Sequence, residues 1–390
     1  MAGNRQLGNA KAAKNDEFYT QLADIQAEVN AYLDYDPDVF RGKTILLPCD
    51  DPEWSNFTRF FAQNFERFGL RKLVSTSYAF DSKRIGRDAS TKRPKGGRAV
   101  GASLPFWQPT LFEMEAPQYD AAKSSARGKI FVLDRDTNGN GRIDFEDLEW
   151  SYLDGDGDFR SNEVRRLRDE ADVIVTNPPF SLFREFLAWI VEADKKFLII
   201  GNMNAITYKE VFPLIMSNQA WLGESIHSGD REFGVPDEYP LEAASWRIDD
   251  QGRHFIRVKG VRWFTNLDHG RRHQPLKLMT MADNIKFSKH KEVRGQGYQR
   301  YVNYDAIDIP FTDAIPADYN GVMGVPISFL DKYCPEQFEI VGISLELADM
   351  SIIRQKLGKL NGGPRLYTEI NGELIRQYER ILIRRRRLET

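Results

Sequence analysis

Two cysteines in 390 residues, Cys49 and Cys334, are too few and too distant for a disulfide framework or a cysteine-based zinc site. They point to a reducing compartment. The five histidines offer one pair at helical spacing, His269 and His273, and no further nitrogen or sulfur ligand close by in sequence. No apolar run approaches the roughly 20 residues that span a bilayer. Met1–Asn15 is small, polar and lightly basic, without the apolar stretch of a signal peptide. No repeat of solenoid length is present. These absences lead us to expect a cytoplasmic protein with no membrane partner.

A net charge of −3 gives no overall basic excess, but the charge is unevenly placed. Asp134–Glu170 holds twelve Asp/Glu against six Lys/Arg, whereas Arg253–Arg300 holds twelve Lys/Arg against three acids. A second basic stretch, Asp81–Arg98, carries seven Lys/Arg against two acids among glycines and Pro94, and Arg384–Arg387 lies near the C-terminus. The Arg253–Arg300 stretch interleaves cations with Phe255, Trp263, Phe264 and Tyr298, a pattern suited to nucleic acid. Arg253, Arg257, Lys259, Arg271 and Arg272 are its candidate phosphate contacts.

Periodicity predicts a helix over Glu17–Tyr32, a strand at Thr44–Leu47, a helix over Phe57–Phe68 and a strand at Lys72–Tyr78. Further strands are expected at Lys129–Leu133, Val173–Val175 and Phe197–Ile200, with Ala220–Leu222 and Gly260–Phe264 as a closing antiparallel hairpin. Such alternation implies an α/β fold with a mostly parallel, doubly wound sheet. Beyond about residue 270 the periodicity weakens. We therefore expect a first domain over 1–270, with an insertion at 134–150, and a recognition region over 271–390.

The segment ADVIVTNPPFSLFREFL, Ala171–Leu187, is the most specific in the chain. Its β-branched run reads as a buried strand. Leu182, Phe183, Phe186, Leu187 and Ile190 follow at helical spacing. The turn between them, Asn177-Pro178-Pro179-Phe180, thus lies at the C-terminal edge of a sheet, where open α/β folds bind ligands. The Asn177 amide oxygen and the Pro178 carbonyl can accept two hydrogen bonds from one exocyclic amine, and the Phe180 ring can stack on the heterocycle that carries it.

That turn resembles the (Asn/Asp/Ser)-Pro-Pro-aromatic signature of class I amino-methyltransferases. More closely, the chain resembles the EcoRI-like adenine-specific DNA methyltransferases. The likeness extends through Lys14–Thr20 (KNDEFYT), Leu46–Phe61 (LLPCDDPEWSNFTRFF), Gly155–Ser161 (GDGDFRS), Arg262–Leu267 (RWFTNL), Asp318–Tyr333 (DYNGVMGVPISFLDKY) and Arg380–Arg385 (RILIRR). It implies a Rossmann-like class I methyltransferase sheet with a C-terminal recognition region. It further implies S-adenosylmethionine as cofactor and double-stranded DNA as substrate, with a cognate restriction endonuclease as a partner to look for. Asn177, Pro178, Pro179 and Phe180 become the catalytic candidates.

By the same resemblance, Asp158 accepts the amine of the cofactor's adenine, Phe159 packs on that ring, and Phe18, Tyr19 and Thr20 line the methionine end. The Pro48-Cys49-Asp50-Asp51 turn departs from the Gly-x-Gly of the wider superfamily, a departure the EcoRI-like proteins share. Asp50 or Asp51 is expected near the methionine ammonium, and Ser55 and Asn56 at the start of the next helix. No acid closes the second strand to hold the ribose, and Ser75, Thr76 or Ser77 is a weak substitute. A Pro-Cys pair also occurs at the nucleophile of cytosine-5 methyltransferases, but Cys49 precedes the Asn-Pro-Pro-Phe turn and has no Glu-Asn-Val partner, so a packing role is expected.

Asp136–Asp147 (DTNGNGRIDFED) has the spacing of a calcium loop, with Asp136, Asn138, Asn140 and Asp147 as side-chain ligands and Arg142 through its carbonyl. Its flanks do not read as paired helices, so an Asp/Asn-rich turn without metal competes with the calcium reading. Two other function classes stay open: an RNA or protein-glutamine amino-methyltransferase, and a non-catalytic, calcium-dependent nucleic-acid-binding protein.

Overall fold

The computed structural model describes residues 18–52, 55–79, 114, 116–227, 229–235, 246–358 and 363–386. The basic segment at 81–98, the Lys14–Glu17 part of the first motif, Glu53, Trp54 and Arg387 lie outside the described residues. The chain divides into two compact units, 1–205 with 228–267, and 206–227 with 268–390.

The first unit is built on a mixed sheet. Strand β1 is Tyr19–Thr20, and the sheet itself uses β2 (Thr44–Leu47), β3 (Lys72–Ser77), β4 (Lys129–Leu133), β5 (Glu149–Tyr152), β6 (Val173–Thr176) and β7 (Lys196–Asn202). Within this unit the order is β5-β4-β3-β2-β6-β7, ending on Val261–Thr265. Strands β3, β2, β6 and β7 are parallel, and Val261–Thr265 runs antiparallel to β7. Every residue of β2 and β6 is buried, as their apolar, β-branched composition requires of central strands covered on both faces. After β2 the chain winds outward to β3, then returns to the other flank of β2 as β6. The reversal opens a crevice at the C-terminal ends of β2 and β6.

Helices cover the faces. Asn56–Gln63 buries Phe57, Phe60 and Phe61, and a short helix, Phe65–Phe68, follows it. Phe40, Phe60, Phe61 and Phe68 make an aromatic cluster with ring centroids 5.5–5.9 Å apart. Helix Phe183–Glu192 buries Phe183, Phe186, Leu187, Trp189 and Ile190 against the sheet. Each such fully buried side chain contributes about 1.5–3 kcal/mol.

Several expectations need correction. The predicted Glu17–Tyr32 helix is instead the short strand β1 followed by helix Leu22–Tyr35. Lys129–Leu133 is a strand, but it runs antiparallel to β3, with β5 antiparallel to it in turn. The two strands expected to close the sheet are, by contrast, both present: Val261–Thr265 pairs with β7, and Trp221–Leu222 belongs to the second unit. Strands Asp230–Val235, His254–Lys259 and Trp246–Ile248 form a separate antiparallel sheet whose opposite edge is β1.

The second unit has its own four-stranded sheet, in the order Ile307–Asp308, Met323–Pro326, Arg380–Arg385, Phe338–Ile343. Its core includes Met323, Val325, Phe338, Ile381, Leu382 and Ile383. A buried Arg380–Asp308 ion pair at 2.8 Å, joined by the Tyr301 hydroxyl, fixes its first and third strands. Hairpin Tyr367–Ile370/Glu373–Arg376 turns on Asn371 and Gly372, both at positive φ, the two-residue turn that matches strand twist. Among the described residues, no helix is long and apolar enough to cross a membrane.

Candidate active site

The Asn177–Phe180 turn lies at the crevice between β2 and β6. Thr176 Oγ1 donates to the Pro48 carbonyl at 2.9 Å, tying the end of β6 to the end of β2. Asn177 Nδ2 donates to the Phe18 carbonyl at 2.7 Å. Because a carbonyl can only accept, this bond fixes which end of the amide is nitrogen. The other end, Oδ1, is buried and has no hydrogen-bond partner among the described residues. An acceptor so placed costs about 1–3 kcal/mol unless a donor reaches it. Phe180 begins a one-turn 3-10 segment and meets Phe18 edge-on at 5.5 Å, and Phe18 also packs on Phe233 at 5.8 Å.

The first-strand turn is held from within. Cys49 adopts φ +62°, the left-handed conformation for which a glycine is usual. Its amide faces Thr76 Oγ1 at 3.4 Å, and the Asp50 amide donates to the Thr76 carbonyl at 2.7 Å. The Asp50 side chain is buried and receives hydrogen bonds from Ser55 Oγ, Thr58 Oγ1 (2.6 Å) and the Thr58 amide (3.1 Å). Burial raises its carboxyl to about 6, against the lowering effect of those bonds. Asp50 therefore shapes the loop, and of the two carboxylates Asp51 is the more exposed. Ser55 caps helix Asn56–Gln63 by accepting from the Phe57 amide. Asn56 instead reaches back, its Nδ2 donating to the Thr20 carbonyl at 2.7 Å.

The Gly155–Ser161 loop packs directly on the end of β3. The Ala79 amide donates to the Asp156 carbonyl at 2.7 Å, and Gly128 donates to the Gly155 carbonyl at 2.9 Å. Gly157 has φ +83°, and a Cβ there would lie 2.2 Å from the Ser77 carbonyl oxygen. Only glycine allows this approach, which brings Asp158 beside Tyr78. Arg160 donates to Asp158 through Nε (2.9 Å), Nη2 (2.6 Å) and its amide (2.8 Å), and the Tyr78 hydroxyl lies at 3.5 Å. Burial alone would raise the Asp158 carboxyl, but Arg160 prevails and holds it below the usual range. Phe159 is only 3% exposed and packs edge-on against Phe186 and Trp189. Arg160, Tyr78 and the Phe18 carbonyl were not anticipated. The fork of Arg160 two residues after Asp158 was a readable signal; the other two contacts are tertiary.

The family described as "Adenine-specific methyltransferase EcoRI" matches residues 6–386. The chain belongs to that family. Type II methyltransferase M.EcoRI of Escherichia coli is 38% identical over 100% of this chain and 98% of its own length. Type II methyltransferase M.MpnI of Mycoplasma pneumoniae is 31% identical, covering 86% of this chain and 84% of that protein. Type II methyltransferase M.MgeORF184P of Mycoplasma genitalium is 30% identical over 98% and 99%. No solved structure matches the chain. A methyltransferase of this family uses S-adenosylmethionine, and the crevice residues fit such a cofactor: an ionised carboxylate at Asp158, and a glycine loop laid close against β3.

The remaining candidates of this EcoRI-family chain are spread over the fold. In the Asp136–Asp147 loop the side chains bind the backbone. Asp136 accepts from the Gly139 and Gly141 amides, Asn138 from Asn140, Asn140 from Arg142, and Asp147 from Thr137, Asn138 and Asp144. Among the described residues, no group of three or more His, Cys, Asp or Glu is arranged to hold a metal. Arg253 pairs with Asp249 at 2.7 Å, while Arg257 and Lys259 are exposed on strand His254–Lys259. Arg272 is only 6% exposed. It lies 3.6 Å from the centre of the Trp221 ring and is hydrogen-bonded to Asp268 and Asn218, so it is part of the second unit's interior. Arg271 is bound to the Asp331 carbonyl (3.2 Å) and His227 (2.6 Å).

Proposed function

We propose that the chain methylates the N6 amino group of adenine in double-stranded DNA by direct transfer to a flipped-out base. The observation that carries this reading is the buried, unpartnered Oδ1 of Asn177, whose orientation is fixed through its own Nδ2. An adenine amine is a poor nucleophile because its lone pair is delocalised into the ring. Donating its two hydrogens to Asn177 Oδ1 and the Pro178 carbonyl favours a more tetrahedral nitrogen with a localised lone pair. Phe180, braced by Phe18, stacks on the base. S-adenosylmethionine supplies an electrophilic methyl group when bound. The methylated nitrogen then sheds a proton to solvent, the C–S bonding pair staying with sulfur, and no covalent enzyme intermediate forms. Positioning supplies most of the rate, and the base must leave the duplex to reach the crevice.

For the cofactor, Asp158 is the acceptor for the adenine amine, with Tyr78, its most distant donor, the group that yields. Phe159 supports that wall from the core side. Asp51, rather than Asp50, serves the methionine ammonium, and Phe18–Thr20 and Pro48–Cys49 form the walls around it. Arg257 and Lys259, with Arg253, are the phosphate contacts of the first unit. Arg271 and Arg272 leave that set, since both are engaged within the second unit. Residues 271–390 act as the recognition region. The Asp136–Asp147 loop keeps its shape through its own hydrogen bonds, and calcium has no part in the reading. The setting is the cytoplasm, and the partner implied is an endonuclease that cuts the same sequence.

The test is incubation with S-adenosylmethionine and either mixed-sequence DNA or RNA, followed by nucleoside mass spectrometry. N6-methyladenine in the DNA alone is expected. Methylated RNA, or a methylated protein amide with unmodified DNA, would replace the DNA reading.

A further inference from the structure

Strand β1 has two edges. One pairs with strand Asp230–Val235, Tyr19 opposite Gly234 and Thr20 opposite Phe233. In an extended strand the carbonyls of alternate residues face the same edge, so Phe18 and Thr20 present theirs together on the other side. Two side-chain amides close that second edge. Asn177 Nδ2, from the end of β6, donates to Phe18 at 2.7 Å, and Asn56 Nδ2, from the first turn of the helix after β2, donates to Thr20 at 2.7 Å. A strap of three residues is thereby held between the two loops that flank the crevice. Its first residue also carries the ring that meets Phe180.

We propose that Asn56 is a positioning residue for methyl transfer, acting through this strap and not on the cofactor. The Asn56 amide fixes Thr20. Fixing Thr20 sets where the Phe18 carbonyl lies, which sets the direction of the Asn177 amide and so of its unpartnered Oδ1. The Phe18 ring moves with the same backbone and determines where Phe180 stands. Neither Ser55, which caps the helix, nor Asp50, which closes the loop, makes this link. The inference rests on the reading that Asn177 Oδ1 receives the adenine amine.

The discriminating variants are Asn56→Asp and Asn56→Gln, with Asn177→Ala alongside. Asp keeps the size of Asn but turns a donor into a second acceptor facing the Thr20 carbonyl. Gln retains the donor on a longer arm. The readouts are the single-turnover rate of DNA methylation, the S-adenosylmethionine dissociation constant, and thermal unfolding to count folded molecules. We expect Asn56→Asp to lower the single-turnover rate roughly ten- to hundred-fold, the scale of an ångström misplacement, with cofactor affinity within about threefold of the parent. Asn56→Gln should recover part of the rate. An Asn56→Asp rate equal to the parent per folded molecule would overturn the inference, as would a loss confined to cofactor affinity. If Asn177→Ala is itself fully active, the underlying reading fails; if it is inactive while Asn56→Asp is normal, only the strap fails.

Discussion

Gly157→Ala tests how the cofactor loop is held. In the fold, Gly157 has φ +83°, where an alanine is disfavoured by about 1–2 kcal/mol. Its added Cβ would also lie 2.2 Å from the Ser77 carbonyl oxygen and 3.3 Å from the Tyr78 Cα, both backbone atoms that cannot rotate away. Relief requires moving the loop off β3, with a packing cost of about 1–3 kcal/mol. Gly128 lies against the same spot, its own missing Cβ 2.8 Å from Gly157, so the loop has no room to shift in that direction. The two effects together amount to about 2–5 kcal/mol. The bonds at risk are those of Ala79 to Asp156 and of Gly128 to Gly155, which seat Asp158. Urea unfolding should therefore show the stability loss, and calorimetric titration should show S-adenosylmethionine binding weakened at least tenfold. A variant within about 0.5 kcal/mol of the parent with unchanged affinity would refute the argument that close backbone approach dictates glycine here.

Three further outcomes follow from single positions. Cys49→Gly should keep stability within about 1 kcal/mol and retain methyl transfer, whereas Cys49→Val should destabilise by about 1–2 kcal/mol or more, as chemical denaturation would show, because a β-branched residue resists φ +62°. Loss of activity in the glycine variant would reopen a thiol-dependent mechanism. Gly201→Ala would place a Cβ 2.4 Å from the Phe183 ring and should cost about 1–3 kcal/mol in the same assay, with Phe183→Leu partly relieving it. The Asp50 carboxyl, raised to about 6 by burial, binds its proton more tightly folded than unfolded. Its contribution is thus most favourable at low pH and falls between about pH 4 and 6, by about 3 kcal/mol. Asp50→Asn should flatten that part of the stability–pH curve, and an unchanged curve would exclude Asp50 as its source.

Much of the first unit was readable because its signals are local. The Val173–Thr176 run could only be a buried strand, and the aromatic spacing after it could only bury one face of a helix. Strand direction was not readable: Lys129–Leu133 has the composition of its parallel neighbours, and nothing in its alternation says that it runs against β3. Nor could charge counting separate Arg257, exposed on a strand, from Arg272, enclosed by Trp221, Asp268 and Asn218. The site itself was legible in its motifs but not in their connections. The Phe18 carbonyl leaves no trace in a side-chain pattern, and Asp50 and Asp51 look alike until one is seen to be buried. The demand for glycine at Gly157 comes from a strand distant in sequence, which the motif does not reveal.

The most direct measurement is single-turnover methylation of DNA by Asn177→Ala, with S-adenosylmethionine binding measured on the same preparation. If Oδ1 is the acceptor for the adenine amine, the rate falls by about 100- to 1,000-fold or more while cofactor affinity stays close to that of the parent. A near-parental rate of N6-methyladenine formation would contradict the account at its centre.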